Sequence, residues 1–280
     1  MDLQNKVVVI TGASSGIGRE TALALGREKC RLVLAARRQE KLESVRRQVE
    51  EAGGKAVVAP ADVSRNSDVE ELVKTALVQF GRIDVLINNA GSGLLATLEE
   101  TTPEQMERIW RTNFLSTFTA IRSVLPVMKK QGSGHIVTVS SIAGRRATPL
   151  QAAYCASKFA QAGLMESLRI ELRGSRVRCT TIFAGPTDTE FLTALENPGK
   201  RSARYHGKVL PAAAVASRIV EALRNPKPEI ITQRFGRALL VLNALTPSAV
   251  DWMVTRFVKR KLLQEEKTTK SQRHKASQKF

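Results

Sequence analysis

The sequence predicts an α/β fold: a single doubly wound parallel sheet of about seven strands, helices on both faces and a C-terminal helical extension. Two observations lead to this prediction. Several short runs are continuously apolar and rich in β-branched residues, which indicates strands buried on both faces, as in a parallel sheet. Longer stretches with helical periodicity alternate with these runs, and such alternation gives right-handed crossover connections.

The elements follow one another in strict alternation. The predicted strands are 6–10, 31–35, 55–59, 83–87, 135–140, 177–183 and 229–232. The predicted helices are 17–28, 40–52, 66–79, 103–130, 152–173 and 211–224. Suitable residues mark several boundaries, since Asp68 and Thr102 lie near helix starts. Pro103 suits a first helical turn and Gly81 follows a helix end.

Length and composition favour one large domain in a reducing compartment. The chain has 280 residues, enough to bury a core without a disulfide or metal. Cys30, Cys155 and Cys179 are odd in number and widely spaced, which excludes a closed disulfide framework and a CxxC zinc site. No apolar window reaches the ~20 residues of a membrane span, and no targeting peptide is recognisable. We therefore expect a cytoplasmic protein without a bound metal.

The C-terminal part of the chain carries most of the excess charge, since two thirds of the net +18 lies in the last 90 residues. We expect a domain over 1–235, an amphipathic helical extension over 236–263 and a basic, disordered tail over 264–280. The apolar stretch 238–245 and the basic run 256–261 are typical of helices on an anionic membrane surface. The alternatives are a helix packed over the active site or a helix packed in a subunit interface. No nucleic-acid partner is expected, because the basic residues lack interleaved aromatics.

A glycine-rich turn, Thr11–Gly18 (TGASSGIG), joins the first strand to the first helix. Glycine permits a tight turn and lets backbone N–H groups approach a phosphate, and the helix N-terminus adds a partial positive charge. The turn therefore predicts a dinucleotide site; the alternative is an ordinary strand–helix connection. The candidate cofactor-binding residues of the turn are Gly12, Ser14, Ser15, Gly16, Ile17 and Gly18.

The end of the second strand indicates which dinucleotide binds. An acidic residue there would bond the ribose hydroxyls and repel a 2′-phosphate, whereas this sequence has Arg37 and Arg38. Guanidinium groups bind phosphate well, so NADP(H) is the expected cofactor. Alternatively, both arginines are simply solvated at a helix start. After the third strand, Asp62 and Val63 are candidates for the adenine edge, although Asp62 is equally suited to capping the next helix.

Tyr154 and Lys158 stand four residues apart on a predicted helix, so both project from one face. The ordinary pKa of tyrosine is near ~10, and an ammonium group ~4 Å away lowers it by favouring the phenolate. The pair is suited to protonating a carbonyl oxygen. Ser140 and Ser141 end the preceding strand, and Asn113 lies inside a predicted helix, where Asn is a poor helix former. These residues belong to the edge where open α/β sheets bind ligands.

Together these motifs resemble the classical short-chain dehydrogenase/reductases over residues 4–235. TGASSGIG is similar to the family's cofactor turn, NNAG (88–91) to its fourth-strand motif and YCASK (154–158) to its catalytic motif. The resemblance implies a Rossmann fold and an NADP(H)-dependent oxidoreductase that transfers hydride to or from a hydroxyl or carbonyl group. The catalytic tetrad that it implies is Asn113, Ser141, Tyr154 and Lys158.

The resemblance also assigns roles to these residues. Tyr154 is the acid/base, while Lys158 lowers its pKa and binds the nicotinamide ribose. Ser141 orients the substrate carbonyl, so the substrate contacts Ser141 and Tyr154, and Asn113 holds a proton-relay water. Arg37, directly after the position of the missing acid, is similar to the NADP-preferring members. The other cofactor contacts that carry over are Asp62, Val63, Asn89, Ala90, Gly91, Gly185, Thr187 and Thr189.

Residues 190–210 fall where the family places a substrate lid. Apolar candidates for the pocket lining are Phe191, Leu192, Leu195, Tyr205 and the pair Leu94–Leu95. They favour a hydrophobic alcohol, ketone or aldehyde as substrate; the alternative is ordinary loop packing. Just before the lid, Ala184 stands where the family usually has Pro. A homo-oligomer is expected, and the competing function class is a non-catalytic NADP-binding or membrane-associated interaction protein on the same fold.

Overall fold

The computed structural model describes residues 2–201 and 208–256, and the chain divides into two compact units. The first unit ends at Gln233 and the second begins at Arg234. Tyr205 of the predicted lid and the predicted tail 264–280 lie outside the described residues.

The secondary structure alternates along the first unit as the sequence predicts. The strands are β1 Val7–Thr11, β2 Arg31–Ala36, β3 Lys55–Pro60, β4 Val85–Asn88, β5 Gly134–Ser141, β6 Val177–Ala184, β7 Thr187–Asp188, β8 Leu210–Pro211 and β9 Glu229–Ile231. The helices are α1 Gly16–Arg27, α2 Gln39–Glu51, α3 Asn66–Phe80, α4 Pro103–Trp110, α5 Ser116–Gln131, α6 Ala152–Glu171, α7 Ala212–Arg224 and, in the second unit, α8 Arg234–Leu245.

Seven of these strands form one parallel sheet in the order β3-β2-β1-β4-β5-β6-β9. The chain starts at the centre, moves outward to β3, and then crosses back to β4 and the other half. This doubly wound order confirms the predicted fold class. The winding reverses between β1 and β4, and the carboxyl ends of strands at such a switch point are where α/β sheets bind ligands.

Successive residues of a strand bury against opposite helical layers, because side chains alternate across the sheet. In β1, Val8 and Ile10 belong to the core formed with α1, α2 and α7. Val9 belongs to the core formed with α3, α5 and α6. All three side chains are fully buried. This two-sided burial explains why the strands are continuously apolar in the sequence.

One predicted helix, 103–130, has an irregularity that the sequence did not indicate. Thr102 caps its start by accepting a hydrogen bond from the backbone N–H of Gln105 at 3.2 Å. After α4, however, a π-helical turn over Arg111–Leu115 precedes α5. The predicted segment is therefore helical throughout, with a π turn at Asn113 inside it. At this turn the carbonyl oxygen of Asn113 accepts side-chain hydrogen bonds, which hydrophobic periodicity does not encode.

The second unit confirms the predicted C-terminal helical extension over its described residues. α8 is followed by a further helical stretch over 247–256. Several large apolar side chains there are exposed, among them Val241 at 62%, Leu245 at 75% and Trp252 at 64%. Within the described part of the chain, no helix combines the length and the apolar character needed to cross a bilayer.

Candidate active site

The glycine turn follows β1 at the point where the winding of the sheet reverses. Gly12 and Gly16 have φ values of +68° and +54°, a left-handed conformation that favours glycine. A Cβ atom on Gly12 would lie 2.9 Å from Cα of Ala90, and one on Gly18 would overlap the carbonyl group of Gly12. Only glycine fits at these two positions, because the turn packs closely against the end of β4 and the start of α1. Backbone N–H groups at the start of a helix such as α1 are suited to binding an anion.

The end of β4 supports this turn. The hydroxyl oxygen of Thr11 accepts hydrogen bonds from the backbone N–H groups of Asn89 at 3.0 Å and Ala90 at 3.1 Å. The amide of Asn89 donates to the carbonyl oxygens of Thr11 at 3.1 Å and Gly12 at 3.2 Å. Asn89 therefore braces the glycine turn from the neighbouring strand.

A cluster of charged side chains lies beside the turn. Arg38 donates to the hydroxyls of Ser15 at 3.0 Å and Ser14 at 3.3 Å. The carboxylate of Glu190 pairs with Arg38 at 2.8 Å and with Lys41 at 2.7 Å. Hydrogen bonds from Lys41 and Arg38 hold the pKa of Glu190 below its usual value. The carboxylate of Glu190 thus lies between two cations next to the glycine turn.

A cavity of about 500 Å³ opens at this cluster. Its lining includes Ser14, Ser15, Gly16, Arg19, Lys41, Thr189 and Glu190. Hydroxyl donors, cations and a helix N-terminus are the groups that bind phosphate. The residues present therefore fit the phosphates of a dinucleotide.

Asp62 and Arg37 lie at the ends of neighbouring strands. Desolvation opposes ionisation of Asp62, but hydrogen bonds from Ser64 and the charges of Arg37 and Arg65 together lower its pKa. Asp62 accepts from the backbone N–H of Ser64 at 3.0 Å and from its hydroxyl at 2.8 Å. The alternative that Asp62 caps α3 is wrong, because the N-cap residue is Arg65 and no side chain caps it. Val63 is buried.

Lys158 lies on α6 with its side chain only 4% exposed. Its ammonium group donates to the carbonyl oxygen of Val139 at 3.1 Å and to Oε1 of Gln161 at 3.0 Å. Nζ lies 5.7 Å from the ring centre of Tyr154, and the ring of Phe191 packs 5.6 Å from that of Tyr154. Burial lowers the pKa of Lys158 from 10.5 to about 8. The arrangement holds a buried cation beside a phenol.

The two serines that end β5 face different surroundings, as expected for neighbours on a strand. Ser140 is 3% exposed, and its hydroxyl donates to the carbonyl oxygen of Lys158 at 3.2 Å. Ser141 is half-buried, and its hydroxyl accepts from the backbone N–H of Ala143 at 3.1 Å. The hydroxyl of Ser141 can still donate to a ligand, whereas that of Ser140 is used within the fold.

Asn113 is fully buried in the π-helical turn. Its Oδ1 accepts from the backbone N–H of Ser92 at 2.8 Å. Its Nδ2 donates to the carbonyl oxygen of Ser92 at 3.0 Å and to the hydroxyl of Ser157 at 2.9 Å. A Cβ atom on Gly91 would lie 3.3 Å from Oδ1 of Asn113 and 3.7 Å from Nζ of Lys158. The fold therefore brings Gly91, Asn113 and Lys158 together.

The loop after β6 returns to the glycine turn. The backbone N–H of Gly185 donates to the hydroxyl of Thr232 at 3.0 Å, and buried Thr187 donates to the carbonyl oxygen of Gly185 at 2.8 Å. Cγ2 of Thr189 lies 2.9 Å from the position that a Cβ on Gly16 would take. β7 and β8, which the sequence did not predict, pair on either side of the lid segment.

The described part of the predicted lid packs against the chain after β4. The backbone N–H of Leu95 donates to the carbonyl oxygen of Glu196 at 2.8 Å, and both Leu94 and Leu95 are buried. Phe191 and Leu195 lie so close to Gly93 that a Cβ atom on this glycine would overlap them.

Three residues around these groups were not among the sequence-based candidates. Lys41 follows Arg38 at helical spacing, and Gln161 follows Lys158 at helical spacing, so each had a detectable signal. Glu190 had none, because its partner Arg38 lies 152 positions away in the sequence.

Known proteins are similar to this chain over most of its length. A family model for the short chain dehydrogenases matches residues 6–199. An uncharacterized oxidoreductase of Listeria monocytogenes is 38% identical over 235 residues, which cover 81% of this chain and 94% of the relative. The ketoacyl reductase HetN of a Nostoc species is 32% identical over 255 residues, which cover 89% of this chain and 88% of the relative.

Solved structures show the same likeness. A short chain dehydrogenase/reductase from Burkholderia phymatum in complex with NAD has a TM-score of 0.80 at 28% identity, covering 87% of this chain and 94% of its own. An alcohol dehydrogenase from Thermococcus sibiricus complexed with 5-hydroxy-NADP has a TM-score of 0.73 at 30% identity, covering 82% and 99%. Because the family model spans more than half of the sequence, the chain belongs to the short-chain dehydrogenase family of oxidoreductases.

Proposed function

We propose that the protein is an NADP(H)-dependent oxidoreductase that interconverts a hydroxyl and a carbonyl group, with Tyr154 as acid/base. The observation that carries this proposal is the buried Lys158, whose Nζ lies 5.7 Å from the ring centre of Tyr154. Burying an ammonium group costs several kcal/mol, so its place beside a phenol supports a chemical role. Its charge favours the phenolate over the phenol.

In the proposed mechanism, Tyr154 gives its phenolic proton to the substrate oxygen in reduction and accepts it in oxidation. Lys158 stabilises the phenolate, and Ser141 donates a hydrogen bond that orients the same substrate oxygen. When bound, the nicotinamide supplies or accepts the hydride. Asn113 stays fixed by its bonds to Ser92 and Ser157, which keeps the π turn beside Lys158.

The preference for NADP(H) rests on this chain's own residues, because one structural neighbour holds NAD and another holds 5-hydroxy-NADP. A carboxylate after β2 would repel a 2′-phosphate, whereas Arg37 and Arg38 stand there. Lys41 adds a third cation nearby. The other proposed cofactor contacts are the glycine turn, Asp62 and Val63, residues 89–91, and Gly185, Thr187 and Thr189.

We propose a hydrophobic alcohol, ketone or aldehyde as substrate. Phe191 packs against the ring of Tyr154, so an apolar surface borders the proposed acid/base. The segment 190–210 then acts as the substrate lid. Apolar walls with a few polar groups are typical of small-molecule sites.

The test follows NADPH oxidation by the full-length protein over ketones and aldehydes of graded chain length. Tyr154→Phe removes only the hydroxyl group, and we expect turnover to fall by ~10²–10⁴-fold while NADPH binding, followed by fluorescence titration, stays nearly constant. Equal turnover in the variant would contradict the mechanism. Tight NADPH binding without turnover of any compound would favour the non-catalytic alternative.

We also propose that the extension 236–263 contacts an anionic membrane surface. Val241 and Leu245 lie four residues apart on α8, so they share one exposed apolar face. The sequence places the basic run 256–261 just beyond it.

A further proposal concerns assembly. We expect the protein to form a homo-oligomer, and light scattering of the full-length protein would measure its mass in solution.

Sedimentation with phosphatidylserine vesicles tests the membrane proposal. Val241→Asp with Leu245→Asp should shift the full-length protein from the vesicle pellet to the supernatant, because buried aspartate opposes insertion of the apolar face. Equal recovery of parent and variant in the supernatant would count against membrane contact.

A further inference from the structure

Gln161 connects the buried lysine of α6 to the π-helical turn. Its side chain is 1% exposed. Oε1 accepts from Nζ of Lys158 at 3.0 Å, while Nε2 donates to the carbonyl oxygen of Asn113 at 2.7 Å and to the hydroxyl of Thr117 at 2.9 Å. One amide thus joins three groups, which lie on α6, in the π turn and on α5.

Chemistry fixes the orientation of this amide. An ammonium group has three donors and no acceptor, so Lys158 must face the oxygen of Gln161. The NH₂ group then faces the carbonyl oxygen of Asn113 and the hydroxyl of Thr117, both of which accept. The reversed amide would place donors against the ammonium group. Every hydrogen-bonding group of this buried side chain is therefore satisfied in a single arrangement.

The ammonium group depends on few acceptors. In the described part of the chain, Lys158 donates to the carbonyl oxygen of Val139 and to Gln161. Desolvation is the cause that lowers the pKa of Lys158, with no contribution from a neighbouring carboxylate or guanidinium. Nζ of Lys158 faces the ring of Tyr154, with 5.7 Å between Nζ and the ring centre. Loss of one acceptor would therefore destabilise the protonated form of Lys158 relative to its neutral form.

We propose that Gln161 is a positioning residue that keeps Lys158 charged and fixed between β5 and the π turn, and so favours the phenolate of Tyr154. This inference rests on the proposed function. A neutral amide does not titrate near pH 7, so Gln161 holds the ammonium group without passing a proton. Its bond to the carbonyl oxygen of Asn113 fixes the lysine relative to the turn.

The test uses the fact that the chain has two tyrosines, Tyr154 and Tyr205. In full-length Tyr205→Phe protein, the ultraviolet absorbance of phenolate reports the ionisation of Tyr154 alone and needs no substrate. We expect Gln161→Leu to move the titration midpoint of Tyr154 upward by about one pH unit, because a less protonated lysine stabilises the phenolate less. Gln161→Met, another apolar side chain of similar length, should give the same shift.

Gln131→Leu provides a matched control. Gln131 accepts from the backbone N–H of Ile83 at 3.0 Å and donates to its carbonyl oxygen at 2.8 Å, at the amino end of β4. This variant loses comparable hydrogen bonds and should leave the midpoint of Tyr154 unchanged. Equal midpoints in the Gln161 variants and the control would overturn the inference. Undiminished turnover of Tyr154→Phe would instead refute the proposed function, so the two failures are distinguishable.

Discussion

The cations at the two ends of the candidate site, beside Tyr154 and beside the glycine turn, differ in their burial and in the partners that bind them. At the Tyr154 end, a single ammonium group, Lys158, is buried and bound by neutral acceptors. At the glycine turn, Arg38 and Lys41 are 47% and 45% exposed and pair with Glu190, which is 49% exposed. Exposed ion pairs contribute only about 0–1 kcal/mol, whereas removing a partner from a buried charge costs several times more. Lys158 is therefore fixed by its acceptors, whereas Arg38 and Lys41 can exchange the carboxylate of Glu190 for another anion.

Replacing one lysine at each end tests this contrast most strongly. Lys158→Met should lower kcat by ~10²–10⁴-fold, because the proposed acid/base loses its neighbouring cation. Lys41→Met should raise KM for NADPH and change kcat little, since its exposed charge acts only on binding. Steady-state kinetics at saturating and subsaturating NADPH separate these effects. A similarly lowered kcat in both variants would contradict the assignment of Lys158 to catalysis and of Lys41 to binding alone.

The glycine turn offers a steric test of the exposed end. Gly18→Ala should lower the free energy of unfolding by about 1–3 kcal/mol and weaken NADPH binding, because its Cβ overlaps the carbonyl group of Gly12. Gly163→Ala is the matched control, since a Cβ there has nothing within 4 Å and lies inside α6. It should stabilise the protein by about 0.5–1 kcal/mol. Urea unfolding measures the free energy of unfolding of both variants. Similar decreases in Gly18→Ala and Gly163→Ala would show that the contact with Gly12 is not what destabilises Gly18→Ala.

Charge reversal tests cofactor choice at the same end. Arg37→Asp should change the ratio of kcat/KM for NADPH over NADH by tenfold or more toward NADH, since a carboxylate repels the 2′-phosphate. Arg47→Asp changes the net charge equally at an exposed position of α2 and should keep the ratio. An unchanged ratio in Arg37→Asp would show that Arg37 does not read the phosphate.

The smallest expected effect concerns Glu190. Glu190→Gln removes the carboxylate that pairs with Arg38 and Lys41, so NADPH should bind about two- to fivefold more tightly. The gain should shrink in high salt, which screens exposed charges. Calorimetric titration measures it, with Glu43→Gln as control, because Glu43 pairs with Arg46 on α2 instead. Weaker binding by Glu190→Gln would mean that the carboxylate helps to form the site.

The sheet was predictable because burial on both faces leaves a continuous apolar signal, as at Val8 and Val9. The π turn was not, because the bond between Gln161 and Asn113 joins residues 48 positions apart. The same holds for the pairing of Glu190 with Arg38. Local motifs indicated the candidate residues of the site, whose roles stay predictions, while the bonds that hold those residues depend on contacts that only the folded chain creates.

Thr11 shows what such a contact implies for ligand binding. Its single hydroxyl group joins the glycine turn to the end of β4, through the N–H groups of Asn89 and Ala90. The two halves of the doubly wound sheet are thus linked at their common edge before any ligand arrives. A dinucleotide that spans this edge meets a preorganised surface, so little conformational entropy of these two segments is lost on association.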